Sequence, residues 1–166
     1  MSEYARSAEV YDALSLARKD YAKEAERIHH MIQTQKHSDG NDLLDVACGT
    51  GLHAEALRRW YQVEGLDLSE HQLTIARKRL PDVTLYHADM TNFGIGKTYD
   101  AMTCLYGAIG ELLDIEQVNS AIRAMTKHLK PGGVLIVEPW LRPEQFVEGR
   151  IWSDFVDEPQ RKIARA

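Results

Sequence analysis

The sequence predicts an α/β fold built on a doubly wound, mostly parallel sheet. Short apolar segments of strand length alternate with longer segments whose apolar residues recur at helical spacing. The segment 134–137 (Val-Leu-Ile-Val) is continuously apolar, as expected of a strand covered on both faces in a parallel sheet. Strands that alternate with helices imply right-handed βαβ units, and such units build a doubly wound sheet.

The first half of the chain supplies helical segments and two strands. Four apolar residues at helical spacing predict an N-terminal helix: Tyr21, Ala25, Ile28 and Ile32. The turn-forming run 38–41 (Ser-Asp-Gly-Asn) ends this pattern. The next predicted elements are a strand over 42–47, a helix over about 51–61 and a strand over 63–68.

The second half continues the alternation. Ser69 with Gln72 resembles a capping box, which predicts a helix start, and Pro81 predicts the end of that helix. Asp114 with Gln117 resembles a second capped start. The remaining predicted elements are strands over 83–86, 99–105 and 134–137, a helix whose apolar stripe ends at 129, and a turn over 130–133.

Length and charge restrict the classes of function. The 166 residues predict one domain, long enough to bury a core without disulfides or metal. Lys and Arg number 20 against 25 Asp and Glu, and no basic run occurs, so nucleic acid is an unfavourable partner. Cys48 and Cys104 are too few for a disulfide scaffold. With no signal-peptide layout and no apolar run that could cross a bilayer, the sequence predicts a soluble, cytoplasmic protein with no membrane partner.

The run 45–51 (Asp-Val-Ala-Cys-Gly-Thr-Gly) stands where a strand turns into a helix. Glycines there let the backbone approach a ligand closely, and the helix start offers free N–H groups. The spacing of Gly49, Gly51 and Ala54 also fits the G-x-G-x-x-G/A pattern of dinucleotide sites. A tight strand-to-helix turn without a ligand explains the same pattern, so further residues must decide between the two.

Acidic residues follow the next two predicted strands. Asp67 lies about 20 residues after Asp45, the separation at which a carboxylate binds a ribose diol. Asp89 and Met90 offer an acceptor for an amino group and an apolar side chain to cover a flat base. Each of these carboxylates, taken alone, could simply be a solvent-exposed residue of a loop. Three at successive strand ends of one sheet edge favour a ligand site, because ligands bind at that edge.

The segment 43–51 resembles the first motif of class I S-adenosylmethionine-dependent methyltransferases. Asp67 and the pair 89–90 resemble the next two motifs, and the run 129–133 resembles the turn before the fifth strand of that family. The resemblance covers about residues 7–140. It implies a Rossmann-like fold and S-adenosyl-L-methionine as the cofactor.

A closer similarity is to bacterial N,N-dimethyltransferases that modify amino sugars carried on a nucleotide. The run 137–140 (Val-Glu-Pro-Trp), the pair Tyr11-Asp12 and the strand end 103–105 have near counterparts there. The similarity implies methylation of a small molecule, with the amine of a nucleotide-linked amino sugar as the leading acceptor. Another small amine or acid, a non-catalytic cofactor-binding module and an NAD-dependent oxidoreductase stand as alternatives.

The resemblance also implies a set of cofactor-binding residues. Asp67 is expected to hold both ribose hydroxyls, and Asp45 to fix the loop and meet the methionine amino group through water. Tyr11 and Tyr21 are expected to close over a sulfonium, which an aromatic face attracts, or to act as helix-packing anchors. The full set is Tyr11, Tyr21, Asp45, Ala47, Gly49, Gly51, Asp67, Leu68, Asp89, Met90 and Leu105.

The acceptor is expected beside the end of the fourth strand. Glu111 is the candidate catalytic residue, because its carboxylate is placed to hydrogen-bond an incoming amine and take its proton. A favourable charge near the next helix start is the alternative interpretation of Glu111. The candidate substrate-binding residues are Tyr4, Tyr106 and Trp140, with core packing as the alternative for the tryptophan. No metal is expected, and His53 and His71 are expected on helix surfaces.

The sequence departs from the family in two respects. Glu111 stands where the relatives carry His or Tyr, and the chain stops at 166, before the last strands of the family's sheet. The predicted organisation is an N-terminal helical cap (1–41), a cofactor-binding core (42–140) and the start of a substrate-covering region (141–166). An apolar sheet edge left without its final strands predicts self-association into a homo-oligomer.

Overall fold

The computed structural model describes residues 3–139, 143–145, 147–149 and 153–165. The helices are α1 (Glu3–Arg18), α2 (Tyr21–Gln35), α3 (Leu52–Leu57), α4 (Glu70–Arg79) and α5 (Ile115–Lys127). The strands are β1 (Asp42–Val46), β2 (Gln62–Asp67), β3 (Leu85–His87), β4 (Tyr99–Cys104), β5 (Leu129–Val137), β6 (Asp154–Glu158) and β7 (Arg161–Arg165). Short 3-10 helices lie at Ala108–Glu111 and Pro143–Gln145.

Five strands form one parallel sheet in the order β3-β2-β1-β4-β5. In the central strand, Asp45 stands beside Gly65 of β2 and Thr103 of β4. The predicted parallel, doubly wound sheet is confirmed. The strand order reverses between β1 and β4, and ligands of such sheets bind outside the carboxyl ends of the strands at this reversal.

Apolar side chains cover both faces of the sheet. Successive side chains of a strand point to opposite faces, so Leu43 and Leu44 of β1 enter different clusters. Leu43 packs with Ile32 of α2 and Leu57 of α3, whereas Leu44 packs with Met125 of α5. Within the described ranges, no helix combines the length and apolarity needed to span a bilayer.

The antiparallel pair β6–β7 is a separate two-stranded sheet. Its buried Val156 packs with Ala13 and Leu14 of α1. This hairpin lies in the range 141–166, where the sequence alone placed residues only loosely.

Two predicted helix starts are confirmed by their capping hydrogen bonds. The Ser69 hydroxyl accepts the backbone N–H of Gln72 (3.3 Å) at the start of α4, and the Asp114 carboxylate accepts that of Gln117 (2.8 Å) at the start of α5. The helix predicted over 51–61 is shorter than expected. The structure gives it six residues, and the chain then turns at once into β2.

The run 130–133 (Lys-Pro-Gly-Gly) is part of β5 rather than the predicted free turn. The pairing of β4 with β5 shifts register here, and Gly132 has a φ of +79°. Its carbonyl accepts the backbone N–H groups of His37 (2.8 Å) and Ser38 (3.2 Å). The turn-forming residues therefore build a bulge that docks on the loop between α2 and β1.

Candidate functional site

A cleft of about 1260 Å³ opens at the carboxyl ends of β1, β2 and β4. It is bounded by the loop between β1 and α3, by the chain after β2, β3 and β4, and by the N-terminal helices. Twelve of the residues predicted for the site line it: Tyr11, Tyr21, Asp45, Ala47, Gly49, Asp67, Leu68, Asp89, Met90, Leu105, Tyr106 and Glu111.

The β1–α3 loop approaches the cleft with its backbone. Ala47 and Gly49 both have left-handed backbone angles, with φ of +57° and +56°. The N–H of Cys48, between them, donates to the Leu66 carbonyl of β2 (3.0 Å), which anchors the loop to the sheet. A Cβ on Gly49 would meet no atom within 4 Å, so the missing side chain leaves open space against the backbone. That space suits a ligand lying directly on the main chain.

Gly51 has a packing role instead and is not among the residues that line the cleft. It caps α3 with a φ of +83°, and a Cβ there would lie 2.8 Å from Leu80 Cδ1 and 3.5 Å from Ala76 Cβ. The absence of a side chain lets the start of α3 press against α4.

We expect Gly51→Ala to destabilise the fold by about 2 kcal/mol, because alanine is strained at this backbone angle and crowds Leu80. Urea unfolding followed by circular dichroism measures the change. Gly94→Ala is the matched control, since its Cβ would meet nothing within 4 Å and its φ is not in the left-handed region. Equal unfolding midpoints for the two variants would contradict the packing role of Gly51.

Asp67 ends β2 with both carboxylate oxygens facing backbone donors. Oδ2 accepts the N–H of Gly49 (2.7 Å), and Oδ1 accepts that of Ser69 (2.8 Å). The side chain is half-buried and lines the cleft. Each carboxylate oxygen can accept a second hydrogen bond. The group is therefore held in place while keeping capacity for two hydroxyls of a ligand.

Asp45 lies deeper, with only 2% of its surface exposed. Thr103 Oγ1 donates to its Oδ1 (2.7 Å). Burial raises the pKa of Asp45 to about 6, the nearby Asp67 carboxylate adds to the rise, and His53 and the Thr103 hydroxyl oppose it. A desolvated carboxylate in a cleft favours a cationic partner. The position suits an ammonium group of a ligand.

The end of β3 supplies a polar and an apolar group. Asp89 Oδ1 accepts both the backbone N–H (2.8 Å) and the hydroxyl (2.7 Å) of Thr91, which orients the carboxylate. Met90 is partly buried against the apolar cluster beneath it, and Leu68, after β2, is 66% exposed. All three side chains line the cleft and provide apolar walls with one acceptor, as a flat base requires.

Three tyrosines border the cleft near the end of β4. The rings of Tyr11 and Tyr106 meet edge to face at 6.1 Å, and Lys19 Nζ lies 4.1 Å from the centre of the Tyr106 ring. Tyr21 is buried with its ring 4.6 Å from that of His53, and burial raises its pKa to about 12. The neutral rings offer faces that attract a cation.

The prediction that His53 lies on a helix surface is wrong. It is 8% exposed and lines the cleft, and its Nε2 lies 3.0 Å from Glu24 Oε2, which also pairs with Lys19 Nζ at 3.0 Å. A signal for this burial was available, because His53 shares a helix face with Leu57 four residues later. His71 is half-buried on α4.

Glu138 is a cleft residue that the sequence interpretation left without a role. Its Oε2 accepts the backbone N–H of Tyr106 (2.6 Å), which has a left-handed φ of +59°. The carboxylate thus holds the turn that follows β4. Glu138 is the first polar residue after the apolar run 134–137, and a carboxylate at a strand end is also part of the signal that pointed to Asp67, the last residue of β2.

The predicted acceptor residues are only partly placed by the structure. Glu111 lies exposed in the 3-10 helix after β4, and Tyr106 is half-buried just before it; both line the cleft. Tyr4 belongs to α1, but its side chain lies outside what the structure describes, and so does the whole of Trp140. These two candidates stay predictions.

Comparison with known proteins agrees with this geometry. The family described as "Methyltransferase domain" matches residues 43–133, from β1 into β5. A Streptomyces venezuelae dTDP-3-amino-3,4,6-trideoxy-alpha-D-glucopyranose N,N-dimethyltransferase is 42% identical over 160 residues, which cover 95% of this chain and 67% of that protein. A Streptomyces fradiae dTDP-3-amino-3,6-dideoxy-alpha-D-glucopyranose N,N-dimethyltransferase is 38% identical, covering 95% and 62%. The chain thus spans about two thirds of the length of these relatives.

Solved structures give the same result. The crystal structure of Streptomyces venezuelae DesVI matches with a TM-score of 0.90 and 41% identity, covering 95% of this chain and 67% of that one. The SAM-bound structure of CalS10, an amino pentose methyltransferase from Micromonospora echinaspora, matches with a TM-score of 0.83 and 41% identity, covering 93% and 64%.

Proposed function

Because this chain belongs to the class I S-adenosylmethionine-dependent methyltransferases, we propose that it methylates the amine of a nucleotide-linked amino sugar. Three relatives at 36–42% identity are named as N,N-dimethyltransferases of dTDP-linked amino sugars. The family membership predicted from the sequence is confirmed, and it argues against the NAD-dependent alternative.

The observation that supports the proposal best is the meeting of three carboxylates at one sheet edge beside an open stretch of backbone. Asp45 lies one residue before the end of β1, Asp67 ends β2 and Asp89 follows β3, and all three line one cleft. The space left at Gly49 lies against the same cleft. A nucleoside joined to an amino acid has the hydroxyls, the amino group and the base edge that these groups accept.

The residues of the cleft therefore fit S-adenosyl-L-methionine. We assign Asp67 to the ribose hydroxyls, and Asp89 with Met90 and Leu68 to the adenine. Tyr11 and Tyr21 would cover the bound cofactor. We assign its methionine portion to four residues: Asp45, Ala47, Gly49 and Leu105. When bound, this cofactor supplies a methyl group on a sulfonium, whose reactivity is its own.

The chain's contribution is alignment and exclusion of water. Tyr106 and Glu111 lie beyond the end of β4, where an acceptor reaches the same cleft. A neutral amine would attack the methyl carbon while the bond from that carbon to the sulfonium sulfur breaks, so that S-adenosylhomocysteine leaves and the amine becomes cationic. The Glu111 carboxylate takes the resulting proton, directly or through one water. Glu138 keeps the turn at Tyr106 in place through the backbone N–H.

We expect Glu111→Gln to lower the rate of methylation by about 10- to 100-fold, because alignment persists while the proton acceptor is lost. The assay combines the chain, labelled S-adenosyl-L-methionine and dTDP-linked amino sugars, and measures label in the sugar. Glu116→Gln is the matched control, since Glu116 is an exposed carboxylate in the first turn of α5.

Three outcomes separate the interpretations. Equal rates for wild type and Glu111→Gln would remove Glu111 from the mechanism. Methylation of a non-amine acceptor, with none of any amino sugar, would overturn the proposed substrate class. Binding of the cofactor product S-adenosylhomocysteine without turnover of any acceptor would favour the non-catalytic binding module.

A further inference from the structure

A polar cluster joins three separate parts of the fold, and its Arg79 also pairs with Glu55 of α3 (Nε to Oε2, 3.4 Å). Asp12 on α1 accepts the Thr50 hydroxyl at Oδ1 (2.5 Å) and the Arg79 guanidinium Nη2 at Oδ2 (2.7 Å). Arg79 in turn donates through Nη1 to the carbonyl (2.6 Å) and the hydroxyl (3.0 Å) of Thr50. We call these three residues the Asp12 clasp.

Two of the three clasp residues adjoin the cleft. Thr50 stands between Gly49 and Gly51 in the β1–α3 loop, and it lines the cleft itself. Asp12 follows Tyr11, which lines the cleft from α1. The clasp therefore connects the backbone that faces the ligand with the helix that covers it.

The three residues of the Asp12 clasp are polar and mostly buried. The side chains of Asp12 and Arg79 are 12% and 19% exposed, and Thr50 is buried. Charge-assisted hydrogen bonds at such positions are stronger and more directional than those on an exposed surface. By contrast, the buried apolar residues Ala13 and Leu14 of α1 pack in a cluster with the β6–β7 hairpin, separate from the two clusters that cover the central sheet.

We propose that Asp12 is a positioning residue that couples the placement of α1 over the cleft to the shape of the β1–α3 loop. The inference rests on the proposed function, because it takes S-adenosyl-L-methionine as the ligand of that loop. A ligand that fixes the loop also fixes Thr50, and through the clasp it fixes α1. The coupling is reciprocal, so a clasped α1 also favours binding of the ligand.

Asp12→Asn tests the coupling with little change in volume. The amide keeps one acceptor oxygen, but its NH₂ group replaces the acceptor that faces either the Thr50 hydroxyl or the Arg79 guanidinium. The clasp then loses one hydrogen bond and the ion pair. Asp82→Asn is the matched control, because Asp82 pairs with Arg58 at an exposed position.

The measurements are calorimetry with S-adenosylhomocysteine and hydrogen exchange of the α1 amides with and without it. For Asp12→Asn we expect affinity to fall about fivefold or more, and α1 to lose the protection that the ligand gives it in wild type. For Asp82→Asn we expect wild-type affinity and wild-type protection. Neither readout depends on turnover.

Thr50 variants keep the test decisive if Asp12→Asn folds poorly. Thr50→Ser retains the hydroxyl and should preserve ligand-dependent protection of α1, whereas Thr50→Val removes the direct bond to Asp12 and should reduce that protection, because only the Arg79 bond to the carbonyl of residue 50 then remains. Unchanged affinity and unchanged protection in both Asp12→Asn and Thr50→Val would overturn the coupling, even if their melting temperatures fall. No binding of S-adenosylhomocysteine by wild type would instead overturn the proposed function, and the inference with it.

Discussion

Replacing Asp67 by alanine is expected to weaken S-adenosylhomocysteine binding by at least tenfold. The carboxylate is proposed to accept both ribose hydroxyls, and loss of such a charge-assisted bidentate contact costs on the order of 2–3 kcal/mol. The same oxygens accept the N–H groups of Gly49 and Ser69. The substitution therefore also releases the loop on which the ligand lies, so the tenfold figure is a lower bound.

Calorimetry on wild type and three variants tests this assignment. Asp67→Ala removes the ligand contact and the loop contacts together, whereas Asp67→Asn keeps one acceptor oxygen and should retain an intermediate affinity. Asp39→Ala is the control for a general charge effect, since Asp39 is exposed in the turn before β1. Wild-type affinity in Asp67→Ala would contradict the assignment of Asp67 to the ribose.

The parts of this site that follow from the sequence are those built from local patterns. A run of strand residues, a glycine-containing turn and a capped helix recur along the chain, and parallel strands bring their carboxyl ends to one edge. Asp45, Asp67 and Asp89 therefore meet in one cleft as predicted. The helix starts at Ser69 and Asp114 rest on the same kind of local signal.

Contacts between residues that are far apart in the sequence cannot be predicted from such local patterns. The Asp12 clasp joins residues 38 and 67 positions apart, and no periodic pattern marks such a meeting. The helix face that His53 shares with Leu57 indicates its burial, but not that Tyr21 and Glu24 of another helix are the residues that pack onto it. The run 130–133 has the composition of a turn, but the docking of Gly132 on the loop before β1 makes it a bulge in a strand.

Asp100, near the amino end of β4, is another buried carboxylate of the sheet, and its role is structural. The Asp100 side chain is fully buried; it accepts the N–H groups of Gly40 (3.1 Å) and Asp42 (3.0 Å) and the Lys130 ammonium (2.7 Å). Burial opposes its charged form, but hydrogen bonds from Lys130 and the Asp42 amide outweigh this and lower the pKa of Asp100 to about 2. The charge therefore ties the loop before β1 to β4 and β5.

Asp100→Ala is expected to lower the free energy of unfolding by about 3 kcal/mol at neutral pH, because the part-buried N–H groups of Gly40 and Asp42 lose their acceptor and the Lys130 ammonium keeps only Asp42. The folded-state pKa is depressed from an ordinary value near 4, so the stabilisation is complete above about pH 4 and is lost as the pH falls towards 2. Urea unfolding at several pH values should therefore show the gap between wild type and Asp100→Ala narrowing in acid. Asp157→Ala, which removes the exposed pair with Lys162, should cost less than about 1 kcal/mol. A gap that stays constant from neutral pH to pH 3 would show that the ionised carboxylate is not what stabilises this edge.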